Sequence, residues 1–195
     1  MGSTLYWMNT SVDLLIEQHP DDHTGEQAGS WVRIDDELHR AFNERARSLA
    51  LLIEGRVVYE MMERHWPAAA HDPSMPEVLR EFGQLWTDMP KVLVSRTRTH
   101  AEHNTRVVTG PDAIDQLAQI RAQTDGDIGV GGATLATELL RHGLLDQILL
   151  FTHPAILGTG RPLFDTVDEP LILDLLEQER FASGVTMHRY TIRSG

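Results

Sequence analysis

The chain has 195 residues, 41% hydrophobic and 24% charged, the balance of an ordinary soluble globular protein with one sizeable core. With 17 Lys and Arg against 29 Asp and Glu, the formal charge is −12, which excludes a nucleic-acid or anionic-membrane partner held by a basic patch. The lack of cysteine excludes disulfides and thiolate chemistry; with no leader-like N-terminus and no apolar run of about 18 residues, a cytoplasmic protein outside any membrane is expected.

In chain order, a strand is expected at about 5–11, followed by a polar loop over 17–30. His19 and His23, with Asp21 and Asp22, lie in that loop without a helical frame, so no metal site is expected. "DDELHRAFNERARSLA" puts Leu38, Phe42 and Leu49 on one helical face, with Asp35 or Asp36 as N-cap. "LALLIEG" is a short apolar run ending in Gly55, a buried strand. A second helix follows from Arg56 to about His65, where "WPAAAHDP" breaks it. "SMPEVLREFGQLW" is a third helix, with Pro76 near its first turn. "KVLVS" and 106–108 read as strands, and "GPDAIDQLAQIRAQ" as a helix with Ile114, Leu117 and Ile120 in phase. A strand at 128–130, a helix at 133–142 and a strand at 147–153 come next. The C-terminal "PLILDLLEQERFASGVTMHRYTIR" forms two strands around Ser183-Gly184, with alternation at Val185, Met187, Arg189 and Thr191. The expectation is one α/β domain: a mostly parallel central sheet flanked by helices, closed by a C-terminal antiparallel hairpin.

The strand at 128–130 meets Gly131 and Gly132 and passes directly into a helix. A helix start exposes unpaired N–H groups and the positive end of the dipole. Glycines there remove the Cβ atoms that would hold an anion away, so a pyrophosphate could accept from Gly132, Ala133 and Thr134. Equally, two glycines could serve only a sharp turn. The dinucleotide fingerprint is not met, because Thr134 stands where its third glycine belongs, so a Rossmann fold is not supported.

"GVGGATLATELLRHGLLDQILLFTHPAILGTGRPLF" resembles the reductase-domain pattern of the dihydrofolate reductase-like superfamily. Within it, the likeness is nearest to the C-terminal domain of the bacterial riboflavin-biosynthesis deaminase-reductase and its small stand-alone relatives. "MNTSVDLLIE", "DDELHRAFN", "LLIEGRVVYEMM", "MPKVLVSRT" and "SGVTMHRYTI" extend it, in the family's order, over nearly the whole chain. The resemblance implies an eight-stranded sheet that binds NADPH across its strand ends. By position, Val130, Gly131, Gly132, Ala133, Thr134 and Leu135 would line the nicotinamide-pyrophosphate path. Gly55 and Arg56 would meet the cofactor phosphates at a second strand-to-helix junction. Ser95, Arg96 and Thr97 would lie beside the adenosine ribose, where a guanidinium can fork onto a 2′-phosphate. The resemblance also implies a homodimer.

Two positions depart from the family pattern. Val58 stands where relatives carry threonine, which removes one phosphate donor. Leu14 replaces a glycine and adds bulk at the pocket mouth. For the proton that accompanies hydride transfer the candidate acids are Asp13, first, then Asp36, with Glu60 alternatively pairing Arg64. The family places Asp13 facing substrate, and Asp36 near the pterin-binding carboxylate of dihydrofolate reductases, though an N-cap role is also open. His153 reads as packed or at a pocket edge, Trp31, Trp66 and Trp86 as core or pocket wall, and Arg161 as a substrate-phosphate contact or a structural cation. The expected function is NADPH-dependent reduction of a small heterocycle, nearest to the ribosylamino-pyrimidine precursor of riboflavin. The alternatives are dihydrofolate reduction, or a non-catalytic nucleotide-binding or regulatory protein.

Overall fold

A computed structural model describes residues 2–18, 31–167 and 169–193; His19, Asp21, Asp22 and His23 lie outside them. The first half contains β1 (Thr4–Thr10), β2 (Leu15–Glu17), α1 (Asp36–Ser48), β3 (Leu49–Gly55), α2 (Arg56–His71), α3 (Glu77–Asp88) and β4 (Lys91–Val94). The second contains β5 (Thr105–Val108), α4 (Ala113–Gln123), β6 (Asp127–Gly131), α5 (Ala133–Arg141), β7 (Gln147–Thr152), β8 (Arg161–Pro162), β9 (Leu173–Arg180) and β10 (Thr186–Ile192).

The main sheet has eight strands in the order β5-β4-β3-β6-β1-β7-β10-β9. The strands from β5 to β7 pair parallel, and β10 joins both β7 and β9 antiparallel. This is the expected mostly parallel sheet with its closing hairpin. Apolar runs such as Ile128 and Val130 are buried because helices cover both faces. On one face Leu38 and Phe42 of α1 pack on Leu5, Leu149, Phe151 and Met187, while Tyr59 of α2 and Trp86 of α3 pack on Leu93. On the other, Leu117 and Ile120 of α4 and Leu135, Ala136 and Leu139 of α5 pack on Tyr6, Ile53, Val92 and Ile148.

Two expectations are corrected and one element pair is added. Helix α2 continues through Pro67 to His71 instead of stopping near His65. Proline removes one ladder donor, but tertiary packing holds the second half of α2 in place. Gly83 of α3 lets the helices touch, since a Cβ there would lie 2.6 Å from the Trp66 carbonyl oxygen and 2.8 Å from Ala70 N. Leu49, placed on the α1 face by periodicity, caps that helix and opens β3. A small antiparallel pair, β2 with β8, was not foreseen, because three- and two-residue strands carry no readable period.

The sheet has a gap at its centre. β1 pairs with β6 only from Thr4↔Ile128 to Tyr6↔Val130. On its other side it stays with β7 to Thr10↔Thr152. Beyond Tyr6 the carboxyl ends of β1 and β6 therefore diverge. The chain leaves β1 through α1 toward β3 on one face, and β6 through α5 toward β7 on the other. In open α/β sheets such a switch point at the carboxyl ends is where ligands bind.

Candidate functional site

Next to that gap, α2 and α5 start side by side. Gly55 is the N-cap of α2 and Gly132 that of α5; neither helix has a side-chain cap bond or an acidic residue in its first turn. The register Glu54↔Gly131 brings them together. A Cβ on Gly55 would lie 3.7 Å from the Gly131 carbonyl oxygen, and one on Gly132 would lie 3.8 Å from Gly55 N. Gly132 also has φ 108, a left-handed value that side chains resist. Ala136 N makes the first internal bond of α5, to the Gly132 carbonyl, at 2.9 Å. The N–H groups before it, on Ala133, Thr134 and Leu135, are first-turn donors without an intrahelical acceptor. Two dipole ends and their free donors converge on bare backbone, an arrangement suited to a diphosphate.

The remaining family-implied cofactor positions divide between this junction and its supports. Val130, Ala133 and Leu135 are buried, so any contact they offer is through backbone. Thr134 is exposed, and its hydroxyl accepts from Arg161 Nη2 at 2.7 Å, which brings a guanidinium to the start of α5. Arg161 also lies 3.8 Å from Asp165 and 4.0 Å from Glu17. Arg56 is exposed and binds Glu60 at 2.8 Å; Glu60 thus pairs backward rather than with Arg64. Ser95 is buried one residue past β4, where it accepts from Thr97 N at 3.2 Å and Arg98 N at 2.9 Å, and so shapes the turn. Arg96 and Thr97 stand exposed on it. Arg98, which the sequence did not single out, forks onto Glu63 at 2.7 and 3.3 Å and lies 5.2 Å from the Tyr59 ring centre.

Val58 fills the angle between the helix starts. A Cβ on Gly131 would meet its Cγ1 at 3.1 Å, and one on Gly132 its Cγ2 at 3.6 Å. The side chain is both a missing hydroxyl and an apolar plug against the glycine pair.

The expected acids fare differently. The Asp13 carboxylate accepts from Ser11 Oγ at 2.6 Å, Leu157 N at 3.1 Å and Gly158 N at 2.8 Å. These bonds, that from Ser11 foremost, hold it down to about 2. Held in this way, Asp13 ties the turn after β1 to the loop after β7. Leu14 in that turn has φ 58, and its side chain is largely in solvent. Asp35, not Asp36, is the N-cap of α1, accepting from Leu38 N at 2.9 Å. Asp36 stands with its side chain 70% exposed, 3.8 Å from Arg40.

His153 is fully buried, accepting from Arg33 N at 2.9 Å on Nδ1 and lying 3.0 Å from Asn9 Oδ1 through Nε2. Burial, with the Arg33 charge second, pushes it down to about 4, so it is a neutral tie with its proton on Nε2. Trp31 packs edge-on against it. Trp86 is core and Trp66 half-buried among aromatic neighbours.

The acid overlooked is Glu54, which directly precedes Gly55 and is 3% exposed. Its signal was a carboxylate inside the apolar run "LLIEG". Burial pushes it up to about 7, against opposing pulls from the Trp86 N–H and the Lys91 charge.

An open cavity of about 600 Å³, lined by Leu51, Lys91, His103, Arg106 and Gln123 among others, lies at the amino ends of β4 and β5, opposite the glycine junction. No group of three or more His, Cys, Asp or Glu among the described residues could hold a metal. No helix there is long and apolar enough to cross a membrane.

The model of a family described as the RibD C-terminal domain matches residues 8–187. The uncharacterized protein YyaP of Bacillus subtilis (strain 168) is 25% identical over 161 residues, 82% of each chain. A crystal structure of a putative riboflavin biosynthesis protein from Shewanella sp. PV-4 superposes with a TM-score of 0.73 at 19% identity, covering 98% of this chain and 99% of that one. Dihydrofolate reductase from Enterococcus faecalis, complexed with NADP(H) and RAB-propyl, gives a TM-score of 0.58 at 12% identity, covering 99% of this chain and 98% of that one.

Proposed function

The chain belongs to the RibD C-terminal domain family, a reductase-domain family of riboflavin biosynthesis, and from that premise we propose that it is an NADPH-dependent reductase of a small heterocyclic substrate. One observation carries the reading: two uncapped, acid-free helix starts meet at adjacent glycines beside the gap in the sheet. The residues fit the cofactor in the uncapped first-turn N–H groups that both helix starts offer, with Val58 packed against the glycine pair. When bound, the reduced nicotinamide supplies the hydride.

The first-turn N–H groups of α2 and α5 bind the diphosphate, with Arg161 adding a cation at Thr134. Arg96, exposed past β4, receives the 2′-phosphate. The divergence of β1 from β6 orients a flat ring between them, and Asp13 fixes the loop that walls its mouth. The nearest family reaction, on the ribosylamino-pyrimidine precursor of riboflavin, is the first substrate to assay. The apolar Val58 against both glycines favours one rival, a nucleotide-binding protein with feeble turnover.

Fluorescence titration tests the proposal. Wild type is expected to bind NADPH near micromolar and more tightly than NADH, and Arg96→Ala to erase that difference. Absence of binding to either nucleotide would sink it. Consumption of NADPH with a substrate panel, dihydrofolate included, separates reductase from non-enzyme. The proposal includes a homodimer, supported by Ile172, Leu175 and Leu176 exposed at and beside the edge strand β9. Sedimentation velocity would show a single monomeric species if that part is wrong.

A further inference from the structure

Glu54 is buried at the foot of the helix junction, one residue before the N-cap of α2. Its Oε1 takes a single long bond, from Trp86 Nε1 at 3.4 Å, and its Oε2 is buried without any hydrogen-bond partner. The carbon chain runs along the glycine step, since a Cβ on Gly131 would lie 3.6 Å from Glu54 Cγ. An ionised carboxylate is rarely left so poorly satisfied, because an unpaired buried charge is far costlier than a buried neutral acid. The same foot carries the first-turn N–H groups of α2, whose dipole end would attract that charge.

The neighbours leave this balance delicate. From β4, Lys91 is 2% exposed and sits over the Trp86 indole, its Nζ 4.5 Å from the ring centre. Its Nζ also donates to the carbonyls of Trp86, Thr87 and Met89, which keeps it at the end of α3 rather than against Glu54. Asp88 of α3 acts on Lys91 from that end. From α2 come the buried Tyr59, the surface pair Arg56–Glu60 and, farther along, Glu63 with Arg98. From β6 comes Gly131, which brings no charge.

We propose that Glu54 is a proton-binding member of the nucleotide site, taking up a proton from solvent when a diphosphate docks on the starts of α2 and α5. This rests on reading that junction as a nucleotide site. Two anionic groups compete there for one electropositive foot, and the carboxylate is the one that can shed its charge by protonation. Linkage then runs both ways: the diphosphate raises the proton affinity of Glu54, and loss of that proton weakens the diphosphate. Burial pushes the acid up to about 7 before any ligand docks, so the coupling falls near neutral pH.

The test is calorimetric binding of NADH, used at high concentration because the 2′-phosphate of NADPH titrates in the same range. Two buffers of different ionisation enthalpy at pH 7.5 report proton uptake. Wild type is expected to take up a fraction of a proton, and to bind about three- to tenfold more weakly at pH 8.5 than at pH 6, the effect of a shift of up to about one pKa unit. Glu54→Gln is expected to bind with no uptake and little pH dependence. Infrared difference spectra of the unaltered protein give a second reading, needed if the variant does not fold. A protonated-carboxyl band should grow on adding nucleotide. Binding without uptake or band, or equal uptake by Glu54→Gln, overturns the proposal and leaves the nucleotide site standing. Failure of NADH and NADPH to bind at any pH takes down both.

Discussion

Helix α1 and the pair α2 and α5 start at the same end of the sheet and solve the same problem in opposite ways. The start of α1 is closed by its own side chains: Asp35 accepts from Leu38 N, and Asp36 and Glu37 put negative charge on the first turn. The starts of α2 and α5 have glycine for a cap, no side-chain acceptor and no acid. An N-cap is worth about 1 kcal/mol. The chain thus forgoes local stability twice, at adjacent points, where a bound anion would return it by mass action. The difference marks a site more clearly than either glycine motif alone, because α1, α3 and α4 each carry an acid in the first turn while α2 and α5, side by side, carry none.

Four changes would break or sharpen the contrast. Gly132→Val should have the largest effect, since it places a branched side chain at φ 108 and over the donors of α5. We expect nucleotide affinity to fall at least about 100-fold, the loss of one or two charge-assisted bonds, read by fluorescence titration. Beneath α2, Glu54 keeps its proton up to about 7 when folded but only to its ordinary 4.5 when unfolded. Between those values the folded state binds more protons, so stability falls as pH rises, by about 3 kcal/mol in total. Urea unfolding at pH 5 and pH 8 should show that loss as the difference between wild type and Glu54→Gln, because buried His153, held down to about 4, pulls stability the other way in both proteins.

At the closed start, Asp35→Ala should cost about 1 kcal/mol of stability and leave nucleotide affinity untouched; a binding defect there would erase the distinction. The smallest effect is expected from Val58→Thr. It returns a hydroxyl to the junction and should tighten NADPH by about fivefold, close to 1 kcal/mol, and an unchanged affinity would place Val58 off the phosphate path.

The order of strands and helices was legible because period and punctuation agree: Ile114, Leu117 and Ile120 in phase, alternation from Val185 to Thr191, Gly55 and Gly131-Gly132 at strand ends. The length of α2 was not, because the effect of Pro67 depends on Gly83, a partner in another helix. β2 and β8 escaped because pairing at a distance, not propensity, defines them. In the site, glycine positions could be read since backbone exposure follows from residue type. The state of Asp13 could not, because two of its three donors are backbone groups more than 140 residues away in sequence. Glu54 was passed over as one charge in an apolar strand, although a carboxylate in that setting is what a buried titrating group looks like.

The early parting of β1 and β6 reaches beyond ligand seating. Only the rungs from Thr4↔Ile128 to Tyr6↔Val130 splice one four-stranded leaf, β5-β4-β3-β6, to the other, β1-β7-β10-β9. That seam is the shortest ladder of the main sheet, so it is where the two leaves are least tied by backbone bonds. A guest wedged in its open end would act as a stay, and the amides of Ile128 to Val130 should then exchange with deuterium more slowly than without it.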